Sequence, residues 1–168
     1  MFARYRRSMA LILRKLMHIG GLPEGLRAEA EAEGILFIAE YIPVTRRFTG
    51  SIPGTRSAGS VASYAGSLVI TNYRVLATMS TLPKLAGRSI DQPWSAPQVG
   101  AVHAELTETG LTLQADVAQI DRRGHGNLSL HYKTEIPDEV LTRLPRRSLA
   151  FDVGPEYVFR AVGVPYHP

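Results

Sequence analysis

Wound at about 100° per residue, residues 2–17 gather Phe2, Tyr5, Met9, Ile12, Leu13 and Leu16 into one apolar stripe about 100° wide. Arg4, Arg7, Arg14 and Lys15 fall opposite, Arg6 sits at the edge of the stripe, and Leu11 points to the charged side. The pattern predicts an N-terminal amphipathic helix ended by Gly20-Gly21, two residues at ease in left-handed geometry. Pro23 at a first turn, with Glu24 behind it, then predicts a second short helix over residues 25–33. Its mixture of Arg, Ala and Glu predicts that it is exposed to solvent.

From Gly34 the period changes from that of a helix to that of strands. Ile35-Leu36-Phe37-Ile38-Ala39 predicts a buried strand, and Val44 to Thr49 its antiparallel partner after a turn at Pro43. Residues 50–66 carry Gly, Ser or Pro at nearly every other position and predict a long mobile loop. Ser67 to Thr71 and Arg74 to Met79 predict a hairpin around Asn72-Tyr73, followed by a short strand near Arg88 to Gln92. Ala101 to Leu106 and Leu111 to Val117 flank a turn at Glu108-Thr109-Gly110, and Leu128 to Thr134 follows a loop from Arg122 to Gly126. Strands adjacent in sequence predict an antiparallel sheet. Pro137, with Asp138 and Glu139 after it, opens a helix whose apolar face is Val140, Leu141 and Leu144. Arg147 to Val153 predicts a last strand, and the pattern assigns nothing to the tail.

At 168 residues the chain suits one domain with a real core. With no cysteine it can form neither disulfides nor thiolate metal sites, and it fits a reducing compartment. No apolar run reaches the roughly 20 residues that cross a bilayer, and the run from Met9 to Leu13 is short for a signal peptide. The expected place is cytoplasmic, peripheral at the inner membrane face. Five bases and no acid fall within residues 1–16. Without them 14 bases face 15 acids, a balance of −1, so the basic character is local and argues against a broad nucleic-acid surface.

Candidate chemistry is sparse. The histidines at 18, 103, 125, 131 and 167 lack metal-ligand spacing, although His103 and His131 could meet across a sheet. No nucleophile-elbow, phosphate-loop or dinucleotide motif follows a strand, and Ser57, Ser60 and Ser63 have no identifiable base. Glu105, Glu108 and Asp116 read as turn charges, Arg122 and Arg123 as a basic turn, and Trp94 as a core or rim anchor. No metal, cofactor or catalytic residue is expected.

Residues 66–75, Gly-Ser-Leu-Val-Ile-Thr-Asn-Tyr-Arg-Val, resemble the G-x-L-x-x-T-[DN]-x-R-[LV] hairpin of bacterial pleckstrin-homology-like (PH-like) and GRAM-like domains. The resemblance implies a mainly β (α+β) fold, a PH-like antiparallel barrel or sandwich of about seven strands with a capping C-terminal helix. It maps onto residues 34–146, leaving 1–33 as a helical extension and 147–168 as a C-terminal strand and tail. The resemblance also implies a basic cluster for phosphate on the first strands, here Arg46, Arg47 and Arg56. Thr71 and Asn72 suit turn chemistry, and Arg74 suits a cross-strand pair.

These readings lead to a non-catalytic binding module. Its expected partner is an anionic membrane surface or a membrane-associated protein, held through Phe2, Arg4, Tyr5, Arg7, Met9, Ile12, Leu13, Arg14, Lys15 and Leu16. The alternative is a soluble homo-oligomer or protein-interaction domain in which the same apolar stripe is buried.

Overall fold

The structure is a computed structural model that describes residues 20–80 and 87–168. The expected N-terminal helix, with the ten residues assigned to its binding surface, lies outside the described residues. The described chain is mainly antiparallel β with short helices, and it divides into two compact units. One is built from residues up to Val44 and from Tyr64 to Pro93, the other from Thr45 to Ser63 and from Trp94 onward. Two long strands, β1 (Ile35–Ile52) and β2 (Thr55–Thr71), give a segment to each.

In the first unit the strand order is β4-β3-β2-β1, with β3 at Arg74–Ser80 and β4 at Gly87–Pro93. Helix α1 (Glu24–Glu33) is made of helix-forming Ala, Glu, Leu and Arg, with Glu24 in its first turn where the backbone dipole favours an acid. Leu26 and Ala30, one turn apart, are buried with Leu22 against Val69 and Leu76, which face each other across β2 and β3. The expectation of an exposed helix is therefore corrected, because that small stripe was diluted by six polar or glycine neighbours in the sequence.

β1 is one continuous strand, so the expected hairpin at Pro43 does not form. Tyr41, at φ +56, absorbs a local irregularity, and its N–H bonds Gly20 O at 2.8 Å. Nor is Ile35–Ala39 fully buried: these side chains are partly exposed, Ile38 to 36%. The expected mobile loop at residues 50–66 is instead the end of β1, a turn at Pro53-Gly54 and the first half of β2. Ladder bonds are made by backbone, so a neighbouring strand stabilises small polar residues that carry no apolar signal. Ser57 adds a bond from its hydroxyl to Phe48 O at 3.2 Å.

In the second unit the order is β2-β1-β7-β6-β5-β8. It contains β5 (Val102–Thr107), β6 (Gly110–Asp116), β7 (His125–Lys133) and β8 (Ser148–Phe151). Alternation is clean: Leu111, Leu113 and Ala115 on β6, with Leu128, Leu130 and Tyr132 on β7, turn into the core. Trp94 is buried there too. Helices α2 (Val117–Ile120) and α3 (Asp138–Leu141) are single turns, and α4 (Pro155–Val162) buries Val158, Phe159 and Ala161. The described residues thus form eight strands where about seven were expected, and the longest of their C-terminal helices lies in the unassigned tail. Among the described residues no helix is long and apolar enough to cross a membrane.

Candidate functional site

Residues of the hairpin at 66–75 hold the first unit together. The Thr71 hydroxyl accepts the N–H groups of Tyr73 and Arg74, each at 3.1 Å, and donates to Glu33 Oε2 at 2.9 Å. Asn72 donates through its amide nitrogen to Glu33 O at 3.2 Å and through its backbone to Gly34 O at 3.1 Å. Gly34 is at φ +83, where a Cβ would meet that same amide, so glycine is required. Arg74 is surrounded by Glu29, Glu33 and Asp91, whose hydrogen bonds, that of Glu29 foremost, raise its pKa further and keep it charged.

A concave site of about 370 Å³ opens on the polar face of the second unit, lined by Arg47 and Thr49 of β1, Gln114 of β6, and Asn127, Leu128 and Ser129 of β7. Its position follows from register. Gln114 pairs with Ser129 and Asp116 with Asn127, while Gly50 and Gly126 bring β1 and β7 so close that a Cβ on either would strike the opposite backbone. Among the described residues Arg47 has no ion-pair partner, whereas Arg27, Arg74 and Arg123 are each held by a carboxylate. Asp116, the acid nearest along β6, is turned to the start of α2, accepting from Ala118 N at 3.1 Å and from Gln119 Nε2 at 3.3 Å. The cleft therefore offers one guanidinium with hydroxyl and amide donors and no lining carboxylate, a set suited to an oxyanion.

The three arginines expected to share a phosphate are not brought together. Successive strand residues point to opposite faces, so Arg47 looks out into the cleft while Arg46 turns in with Val44 and Phe48 and is 6% exposed. Arg56 is exposed on β2 and does not line the cleft. The sequence reading missed Thr49, Gln114, Asn127 and Ser129. Their polar positions within alternating strands were visible, but the pairing of β1 with β7, distant in sequence, was not.

Other candidates resolve into structural roles. Arg123 grips Asp121, stands 5.8 Å from the Phe159 ring centroid and donates to His167 O, tying the loop before β7 to α4 and the tail. His131 contacts Thr109 O at 3.2 Å, and the described residues contain no cluster of three or more metal-ligating side chains. Ser57 and Ser60 bond Phe48 O and Arg46 respectively. No protein family profile, curated protein or solved structure matches this chain.

Proposed function

We propose that this protein is a non-catalytic, PH-like binding module that attaches to an anionic membrane surface or to a partner held there. The observation that carries this reading is the segregation of charge: five bases and no acid within residues 1–16, beside an otherwise nearly neutral chain. Each such base is worth about 1 kcal/mol near anionic lipid, and the interleaved Phe2, Leu13 and Leu16 supply apolar area for the interface. The Arg47 cleft supports the reading as a place for a phosphate-bearing headgroup. The run of antiparallel neighbours on either side of the Thr-Asn-x-Arg hairpin supports the PH-like assignment.

The test is co-sedimentation of the full-length protein with phosphatidylcholine vesicles and with vesicles containing phosphatidylglycerol. Binding to the anionic vesicles alone, weakened by salt and lost when Arg4, Arg7, Arg14 and Lys15 are all changed to Gln, is the expected result. Equal sedimentation of that variant would sink the membrane reading. A second reading, self-association, is favoured by the incompletely covered Ile35–Ala39 run, with Ile38 36% exposed. Light scattering decides it: a dimer that Ile38→Glu converts to monomer supports self-association, and a wild-type monomer at high concentration refutes it.

A further inference from the structure

Two charged residues are buried among the described ones, Asp121 and Arg46. Asp121 has Arg123. Arg46 has no carboxylate: its Nη1 donates to Ser60 Oγ at 3.2 Å, and its Nε is shut from solvent without an acceptor. A guanidinium does not shed its proton at any pH the fold survives, so burial cannot be relieved by neutralisation as it is for lysine. A buried charge left without a counter-charge is strongly unfavourable.

Among the described residues no acid forms an ion pair with it. The stretches outside the described residues, 1–19 and 81–86, contain neither Asp nor Glu, and nor do residues 87–89. An oxyanion from solution can supply the counter-charge that no described residue gives it. Geometry states what it looks like. One Nη1–H goes to Ser60, and Nε, enclosed and unpaired, shares one edge of the planar group with Nη2. That edge presents two parallel N–H bonds at the spacing of two oxygens on a carboxylate or phosphate.

We propose that Arg46 and Ser60 form an internal receptor for a small oxyanion, a carboxylate or phosphate that lies along the Nε/Nη2 edge while Ser60 fixes the guanidinium from the other side. The inference does not rest on the membrane reading, since Arg46 is on the face of β1 opposite the Arg47 cleft. Loss of vesicle binding leaves it standing, and its own failure leaves vesicle binding untouched.

The experiment uses the full-length protein at fixed pH and ionic strength, with chloride replaced stepwise by acetate or by phosphate. Thermal unfolding and the Arg46 Nε–H resonance, assigned by its disappearance in Arg46→Lys, are followed together. In the wild type the midpoint is expected to rise and the resonance to move to saturation. Ser60→Ala is expected to bind about fivefold more weakly, the loss of one hydrogen bond. Arg46→Met is expected to melt no lower than the wild type in chloride and to ignore the oxyanion. Saturation by acetate at lower concentration than phosphate assigns a carboxylate ligand, and the reverse a phosphate. A resonance that neither anion moves, or an Arg46→Met protein stabilised as much as the wild type, overturns the proposal. Should Arg46→Met not fold, the wild-type resonance titration alone decides.

Discussion

Arg74 on β3 reaches Glu33 at the last turn of α1, Nε to Oε1 at 3.0 Å, and so ties the helix to the hairpin that follows 38 residues later in the chain at Thr71. The same guanidinium bonds both carboxylate oxygens of Asp91 on β4 at 3.1 Å and Glu29 at 2.8 Å. Its side chain is 12% exposed, and one cation thus gathers three acids from two other elements.

Arg74→Met is therefore expected to do more than remove contacts, because it leaves Glu29, Glu33 and Asp91 facing one another. The partners are partly solvated, so the loss is set at roughly 2–3 kcal/mol, below that for a fully buried pair. Urea unfolding measures it, with Arg74→Lys recovering part of the charge term. A loss under about 0.5 kcal/mol, the level of an ordinary surface change, would remove Arg74 from its place as the clasp.

Gly126 faces Gly50 where β7 meets β1. At φ +105 it holds a backbone conformation that side chains avoid, and a Cβ there would strike Thr49 O. Gly126→Ala is expected to cost roughly 3 kcal/mol, from backbone strain and forced separation of the strands. The separation would also move Thr49 away from Asn127 across the Arg47 cleft. Thermal unfolding and the amide shifts of Thr49, Asn127 and Ser129 test this, and an unperturbed spectrum would show that close approach does not shape the cleft.

The parts of this fold legible in the sequence are those whose signal is local. The Asn72-Tyr73 turn, the Glu108-Thr109 turn and the alternation of Leu111, Leu113 and Leu128, Leu130 declared their strands directly. The first half of β2 declared nothing, since Ser, Gly and Ala there are held by β1 rather than by their own burial. Pro43 misled because β1, irregular at Tyr41 two residues earlier, continues through it. The candidate site was half legible: Arg47 stood out as a charge, but its companions Gln114, Asn127 and Ser129 are ordinary polar positions until β1 is placed beside β7.

Asp121 gives a pH dependence with a defined sign. The Arg123 side chain and then its backbone N–H, the latter at 2.9 Å, hold the buried carboxyl below its ordinary value of 3.8, against the opposing effect of burial. A carboxyl whose pKa is lower folded than unfolded contributes stability above the unfolded value and loses it as pH falls through the folded one. Unfolding free energy is thus expected to drop as pH goes below 3.8, and Asp121→Asn to flatten that part of the curve while lowering the plateau at neutral pH. Parallel curves for the two proteins would show that Asp121 does not titrate differently on folding. The plateau loss follows from Arg123, which without its partner no longer pins Phe159 and Tyr166.

Tyr157 on α4 makes the opposite case, a polar group whose removal is expected to help. The residue as a whole is half-buried, but its hydroxyl oxygen is enclosed and has no hydrogen-bond partner. A buried hydroxyl left unpaired costs about 1–3 kcal/mol, so Tyr157→Phe, which keeps the ring and removes the oxygen, is expected to raise stability by roughly 1 kcal/mol. Burial, with Tyr132 adding to it, also pushes the phenol well above its ordinary 10.0. The unfolded chain then ionises first as pH rises, so the wild type is expected to lose stability above pH 10.0 by a term that Tyr157→Phe lacks. Unfolding midpoints at pH 7 and above 10 test both parts. A variant less stable than the wild type at neutral pH would mean that the hydroxyl has an acceptor in solution, and the helix would then be held by a bond rather than strained by its absence.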